Sequence, residues 1–354
     1  MDQGFSTINT KSDALYLSGM SVQEILQCLD ARQPYRAKQL YQWIAHGVSD
    51  FDLMTNLPKG ERADLRARFG TVFSSSVDTE MQDPDGSLKL QIRLRDGSAV
   101  ECVLLEDIEG RKTACLSSQV GCPMGCKFCK TGQLGFLRDL GPDEILEQFH
   151  FLANRRGPIS NVVFMGMGEP LLNFEAVSKA IALLTDPEGI GMSHRKITIS
   201  TSGIVPGIKK LANEGPLVRL AISLTTARDN LRSELMPVDK KWNVQELKDA
   251  LVYYQNKTGE RITLELALLG NKNTEKEDAL ALAEWIPPLK AQVNLIPWNQ
   301  VPGLPFVEPE PSKVAAFTRI LEDAGITVVT RFHRGRGVMG ACGQLGDTLR
   351  APSS

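Results

Sequence analysis

Three cysteines, Cys122, Cys126 and Cys129, stand in a Cys-x3-Cys-x2-Cys spacing within Gly121-Cys122-Pro123-Met124-Gly125-Cys126-Lys127-Phe128-Cys129. A closed tetrahedral zinc or iron–sulfur site takes four thiolates. Three at this spacing fill three corners of a cubane 4Fe–4S cluster and leave one iron open to a small ligand. The amine and carboxylate of a methionine, as in S-adenosylmethionine (SAM), can chelate that iron. An electron from the cluster would then break a carbon–sulfur bond and release an adenosyl radical, chemistry that belongs to the cofactor. Gly121 and Gly125 permit positive φ and close backbone approach, and Phe128 can shield the metal from water. The competing readings are a zinc knuckle borrowing a distant ligand, or three unrelated core cysteines. No matching Cys-x2-Cys or His-x3-His half-site accompanies the loop to favour them.

Other candidates follow short β-rich runs. Gly166-Met167-Gly168-Glu169-Pro170 brings a backbone that can approach a ligand, and a carboxylate that can receive an ammonium; its alternative is a plain strand-to-helix turn. Ser200 and the triplet Ser223, Leu224 and Thr225 end two further runs, where hydroxyls suit a carboxylate or ribose, or merely cap helices. Asn299 places an amide just past another run, suited to an adenine or ribose edge. Cys342 sits in a glycine-rich tail that can carry a thiolate between two positions, and Cys115 shortly precedes the cysteine loop. Two separated cysteines reaching one site fit a nucleophile and a resolver working by thiol–disulfide exchange. Cys28 and Cys102 read as core residues, and His46, His150, His194 and His333 show no ligand spacing.

Positioning these groups requires a scaffold. Runs at 114–117, 161–165, 196–200, 219–224, 262–268, 292–296 and 327–330 alternate with amphipathic helices such as 142–154 and 312–324. Alternating β and α predicts a parallel sheet with helices outside, either a partial barrel or a doubly wound sheet, with ligands at the C-terminal strand ends. Residues 88–94 and 99–105 alternate around Arg95-Asp96-Gly97-Ser98 and predict a hairpin, preceded by a linker at 82–86. Ser21 and Glu24 form a capping-box pair before a helical pattern; helices at about 35–46 and near Arg62, Arg66 and Arg68 follow. Such helices present cations that can grip phosphates, or serve as a solvated helical lid. The expected organisation is a disordered 1–16, a helical unit at 17–80, linker and hairpin at 81–110, the α/β unit at 111–333 and a mobile tail at 334–354.

The cysteine loop, Thr113-Ala114-Cys115-Leu116-Ser117-Ser118-Gln119-Val120, Phe164-Met165-Gly166-Met167-Gly168-Glu169-Pro170 and Gly340-Ala341-Cys342-Gly343-Gln344-Leu345 together resemble the RlmN/Cfr family of radical-SAM RNA adenine methyltransferases, from about Pro34 to the tail. Tyr35-Arg36-Ala37-Lys38-Gln39-Leu40-Tyr41 and Asp52-Leu53-Met54-Thr55-Asn56-Leu57-Pro58 match that family's N-terminal RNA-binding helical domain. The resemblance implies an α/β fold, a partial (βα)6 radical-SAM barrel with a small N-terminal helical domain and a β-hairpin extension. It implies a 4Fe–4S cluster on Cys122, Cys126 and Cys129, and SAM on Gly168, Glu169, Ser200, Ser223, Leu224, Thr225 and Asn299. Cys342 would take a methyl from one SAM, and the radical from a second SAM would abstract its hydrogen. The carbon radical would add to adenine, and Cys115 would attack Cys342 to free the product through a transient disulfide. Such a carrier meets a chemical need, because a ring carbon of adenine is too poor a nucleophile to take the methyl directly. Glu101 is the candidate base, although the span from it to Cys115 is one residue longer than in typical members. Two departures bear on substrate: Thr225 stands where the family has histidine, and Arg334 and Arg336 where it carries acidic residues.

The implied function is methylation of adenine carbon 2 in 23S rRNA and also tRNA, the sequence around Glu169 and Asn299 favouring that branch. The alternatives are the carbon-8 branch, linked to ribosomal antibiotic resistance, a radical-SAM enzyme on a non-RNA substrate, and a non-catalytic RNA-binding relative. Retention of both Cys115 and Cys342 argues against the last. Composition agrees with an enzyme: 354 residues, 42% apolar, 23% charged, net charge −2, so RNA-binding cations must be gathered locally. Seven cysteines beside a cluster loop point to a reducing cytoplasm. No apolar run reaches the ~18 residues of a membrane span. A monomer served by a reducing electron donor is expected.

Overall fold

The computed structural model describes residues 16–29, 34–331, 334–347 and 349. The expected disordered N-terminus, apart from Tyr16, and His333 lie outside them.

The chain opens with helices α1 (Val22–Cys28), α2 (Pro34–Ala45) and α3 (Lys59–Phe69). Ser21 and Glu24 close the capping box: Ser21 Oγ accepts from the Glu24 N–H, and the Glu24 carboxylate accepts from the Ser21 N–H at 2.8 Å. Strands β1 (Ser76–Gln82), β2 (Leu88–Arg93) and β3 (Ala99–Glu106) follow as an antiparallel meander. The hairpin at 88–105 is as expected. The segment at 82–86 is no linker but the turn of a second hairpin, and Ser76–Glu80, within the span expected to be helical, pair as strand. Val77, Thr79 and Met81 alternate with polar residues there, a pattern too weak to read because the strand is an exposed edge.

Next come β4 (Lys112–Cys115), β5 (Gln119–Gly121), α4 (Lys130–Gln133), β6 (Phe136–Asp139), α5 (Pro142–Arg156), β7 (Asn161–Phe164), α6 (Phe174–Thr185), β8 (Ile197–Thr201), α7 (Val205–Glu214) and β9 (Arg219–Ser223). The chain continues through α8 (Asp229–Leu235), α9 (Val244–Thr258), β10 (Ile262–Leu268), α10 (Lys276–Trp285), β11 (Ala291–Pro297), α11 (Pro311–Asp323) and β12 (Thr327–Thr330). The large sheet runs β1-β2-β3-β4-β7-β8-β9-β10-β11-β12, parallel from β4 onward, while β5 and β6 form a separate pair. Among the described residues six βα units thus precede a last strand, and β1 and β12 are the unpaired edges, so the barrel is partial.

Period-two alternation sorts each strand between two environments. On β10, Ile262, Leu264, Leu266 and Leu268 are buried in the apolar core, while Glu265 and Ala267 face a cavity inside the curl. Each leucine so buried contributes about 1.5–3 kcal/mol. The helical N-terminal segment rests on the barrel through polar links. Tyr41 donates its hydroxyl to Asp186 at 2.8 Å, and buried Glu147 accepts from Ser18 Oγ at 2.7 Å and from the N–H groups of Ser74 and Ser75. Among the described residues no helix is long and apolar enough to cross a membrane.

Candidate active site

A cavity of about 180 Å³ opens at the C-terminal ends of the parallel strands, and Cys122, Cys126 and Cys129 all line it. Local backbone explains their placement. Gly121 has φ +82°, and a Cβ there would stand 2.1 Å from the Gly135 carbonyl, so only glycine allows β5 to turn into the loop. That carbonyl accepts the Cys122 N–H at 2.8 Å. Further on, Lys127 N–H donates to Leu235 at 2.9 Å, and the Trp298 indole N–H donates to the Phe128 carbonyl at 3.0 Å. Phe128 itself lines the cavity.

Among the described residues no three His, Cys, Asp or Glu side chains close tightly enough to share one metal ion. A cubane asks for something else: one thiolate per iron, spread around a common space. Burial pushes the Cys122 thiol up to about 12, with only backbone hydrogen bonds from Met124 and Gly168 opposing it. Cys126 is raised well above its ordinary value, by burial and then by its neighbouring thiols. Three half-buried thiols this close together become thiolates only against positive charge, which a cluster's irons would supply. The residues fit that group.

Gly168 and Glu169 line the same cavity. Glu169 is buried and its carboxylate accepts from Ser202 N–H and Oγ, both at 2.8 Å, and from Leu171 N–H at 3.1 Å. Burial raises its carboxyl above the usual range, and only hydrogen bonds from Ser202, Thr201 and Leu171 oppose that rise. A carboxylate so placed is suited to a ligand ammonium. Ser200, Ser223, Thr225 and Asn299 complete the wall. Leu224, expected with them, turns instead into the core, since alternation at the end of β9 sends only its two neighbours to the cavity. Thr225 is a β-branched residue at φ +64°. Its N–H donates to the Glu265 carbonyl, and its own carbonyl accepts from Asn273 at 2.8 Å.

A second cavity, about 360 Å³, adjoins the first and is lined by Cys115 and Cys342. Cys342 lines both. Cys115 ends β4, held between Val103 of β3 and Val163 of β7. Burial raises its thiol, and the Cys342 sulfur raises it further. The tail, expected to be mobile, is docked: Gly343 carbonyl accepts from Lys130 N–H at 2.8 Å, Leu345 carbonyl from Thr131 Oγ1 at 2.6 Å, and Gln344 donates to Gln300 at 2.8 Å. Arg336, one of the two departing cations in the tail, pairs with Glu308 at 2.8 Å and donates to Asn299 at 3.1 Å; Arg334 donates to the Glu106 carbonyl.

Glu101 stands outside the linings of these two cavities. Buried on β3, it pairs with Lys89 at 3.2 Å and accepts from Gly346 N–H at 2.6 Å. Burial raises its carboxyl, with Lys89 opposing. Cys102 is fully buried on the opposite face. Of the cations expected on the N-terminal helices, Arg66 is held by Asp50 and Asp52, while Arg62 donates to the Asp52 carbonyl and Arg68 to the Cys28 carbonyl; Arg36 pairs with Glu61 and Lys38 with Glu188. Sequence reading missed Glu265 and Trp298 in the wall and Lys89 behind Glu101. A lone Glu inside the apolar run 262–268 was the available signal for the first.

Residues 116–283 match the model of the radical SAM superfamily, and residues 17–70 that of the ribosomal RNA large subunit methyltransferase N-terminal domain. The chain is 48% identical over 332 residues to a probable dual-specificity RNA methyltransferase RlmN of Treponema pallidum, covering 94% of this chain and 97% of that one. It is 42% identical to the dual-specificity RNA methyltransferase RlmN of an Anaeromyxobacter species, covering 88% and 85%. A crystal structure of a radical SAM methyltransferase from Sphaerobacter thermophilus superposes with a TM-score of 0.90 at 38% identity, covering 94% of this chain and 99% of that one. A thiol at the boundary of two cavities, a cysteine triad in one and a second thiol in the other, a partial barrel and these matches agree: the chain belongs to the radical SAM superfamily and, within it, to the RlmN family.

Proposed function

We propose that this chain methylates carbon 2 of adenine in 23S rRNA and in tRNA, by way of a methyl group carried on Cys342. It is a radical SAM RNA methyltransferase that uses a 4Fe–4S cluster and SAM. Bound in the first cavity, those groups supply the methyl and the electron transfer that generates a radical. Cys122, Cys126 and Cys129 would hold the cluster. Glu169 would take the SAM ammonium, with Gly168 giving its backbone room, Ser200, Ser223 and Thr225 offering hydroxyls, and Asn299 an amide edge.

The observation that carries the reading is that Cys342 lines both cavities. A sulfur there can be loaded from one side and present its carbon to a base entering the other. Cys115, in the second cavity, is the resolver that attacks Cys342 to free the product, and Glu101, outside the cavity lining but on the strand that pairs with Cys115, is the candidate base for the ring proton once a substrate reaches it. The N-terminal helices are the RNA-binding unit. Lys38 and Arg66 sit in exposed ion pairs that contribute little to stability, so phosphates can displace their carboxylates. The setting is a monomer in a reducing cytoplasm, supplied by a low-potential electron donor.

The test is anaerobic reconstitution with iron, sulfide, labelled SAM and fragments of 23S rRNA and tRNA, followed by mass spectrometry of the digested RNA. Label on carbon 2 is expected. Label on carbon 8 would move the chain to the other branch, and label on neither RNA would reject the substrate.

A further inference from the structure

Strand β2 carries a lysine where a half-buried strand would normally bury an apolar residue. Lys89 is 3% exposed, and its ammonium has two carboxylate partners. It reaches Glu101 at 3.2 Å as the diagonal neighbour across the β2–β3 pair, and Asp347 of the tail at 2.9 Å. The second oxygen of Glu101 accepts the Gly346 N–H at 2.6 Å, and the second oxygen of Asp347 accepts from Lys130 on α4. Two cations and two anions thus alternate from the core of the meander to the cluster loop. Asp347 lies five residues from Cys342. Burying a lysine is costly unless it is paired and hydrogen-bonded, so this cation is retained for what it holds.

We propose that Lys89 is a positioning residue for the methylation: it keeps Glu101 ionised and oriented, and by sharing its ammonium with Asp347 it ties that state to the docked tail that carries Cys342. The inference rests on the reading of Glu101 as the base. A base accepts a proton only as the carboxylate, and Glu101 is buried where burial favours the neutral acid. The charged groups around it are few. Lys89 faces it from β2, Asp347 from the tail, and Lys130 from α4 through Asp347. The Cys102 thiol lies on the opposite face of β3, and the Met167 sulfur, uncharged, meets the Glu101 backbone N–H at 3.3 Å. Lys89 is therefore the one cation in contact with the carboxylate among the described residues. Gly346 and Asp347 both belong to the tail, so the contacts on Glu101 and Lys89 are complete only with the tail that carries Cys342 docked as it is here.

The test uses the cluster-loaded full chain. In Lys89→Met, Glu101 should take up a proton. Product formation near neutral pH should drop about tenfold or more, and the rising limb of activity against pH should move up by about one unit or more. Methyl loading of Cys342 from SAM, read by intact-protein mass, should change less than about twofold, as it needs no base at Glu101. Lys89→Arg should restore the limb. Asp347→Asn should leave the limb in place or lower it, since an anion near Glu101 is removed, and should speed hydrogen exchange at the Gly346 amide. An unshifted limb in Lys89→Met, with or without lost rate, overturns the proposal. Full turnover by Glu101→Gln rejects the base reading and the inference with it, whereas an inactive Glu101→Gln beside an unaffected Lys89→Met overturns the inference alone.

Discussion

The side-chain amide of Asn299 donates to the carbonyl of Cys342 at 3.1 Å, joining the loop after β11 to the tail. The bond is made by the same residue that walls both cavities, so the thiol is pinned at their boundary and not left to find it.

That placement separates the two thiols by role. Cys342→Ala removes the carrier, so methylation should fall below detection, at least about a thousandfold, while RNA binding by filter retention persists. Cys115→Ala should load normally but fail to release, leaving protein crosslinked to RNA on denaturing gels. Free unmodified RNA from the Cys115 variant would count against its resolving role.

Glu169 tests the cofactor wall. A charge-assisted hydrogen bond from a ligand ammonium is worth about 1.5–3 kcal/mol, so Glu169→Gln should weaken SAM binding by about 10- to 150-fold. The amide oxygen can still accept from Ser202, at the cost of the Leu171 N–H bond, and melting temperature checks that the fold holds. Calorimetric titration of SAM into the reconstituted protein reads the change; equal affinity would remove Glu169 from the ligand shell.

How far the sequence carried is clearest at β2. Apolar–polar alternation at 88–94 predicts one arm of a hairpin, and says nothing of Lys89 being buried beside Leu88 and Leu90. The covering is the tail, more than two hundred residues away, and no local pattern reports it. The cysteine loop and the strand-end hydroxyls were legible because their chemistry needs particular residue types at short spacing. Leu224 was misread for the converse reason: a motif names consecutive residues, while a strand end shows only alternate ones to the cavity. The docking of the tail was invisible, since the glycines that permit mobility also permit the close contacts that hold it.

Thr225 stores backbone strain at the cofactor wall. A β-branched residue in the left-handed region costs on the order of 1–3 kcal/mol. Asparagine tolerates that region, so Thr225→Asn should stabilise the fold by about 1 kcal/mol and raise the melting temperature by about 1–2 °C. The gain should come with altered SAM affinity, because the residue lines the cavity. A lowered melting temperature would mean the side chain contributes packing that outweighs its strain.

His150 gives the fold an acid limit. Its ring is buried on α5, stacked on Phe73 at 5.5 Å and edge-on to Phe149 at 5.6 Å, and burial, then the charge of His46, holds its pKa down at about 4 against an ordinary 6.5. The folded state therefore keeps it neutral where the unfolded chain would take a proton. Stability from this group is complete above about 6.5 and is lost as pH falls toward 4, by up to about 1.4 kcal/mol per pH unit. Urea unfolding at a series of pH values should show that slope. His150→Phe keeps an aromatic ring against Phe73 and cannot be protonated, so its slope over the same range should flatten. An equal slope in the variant would assign the acid sensitivity to other groups, such as the carboxylates that pair across the helical segment.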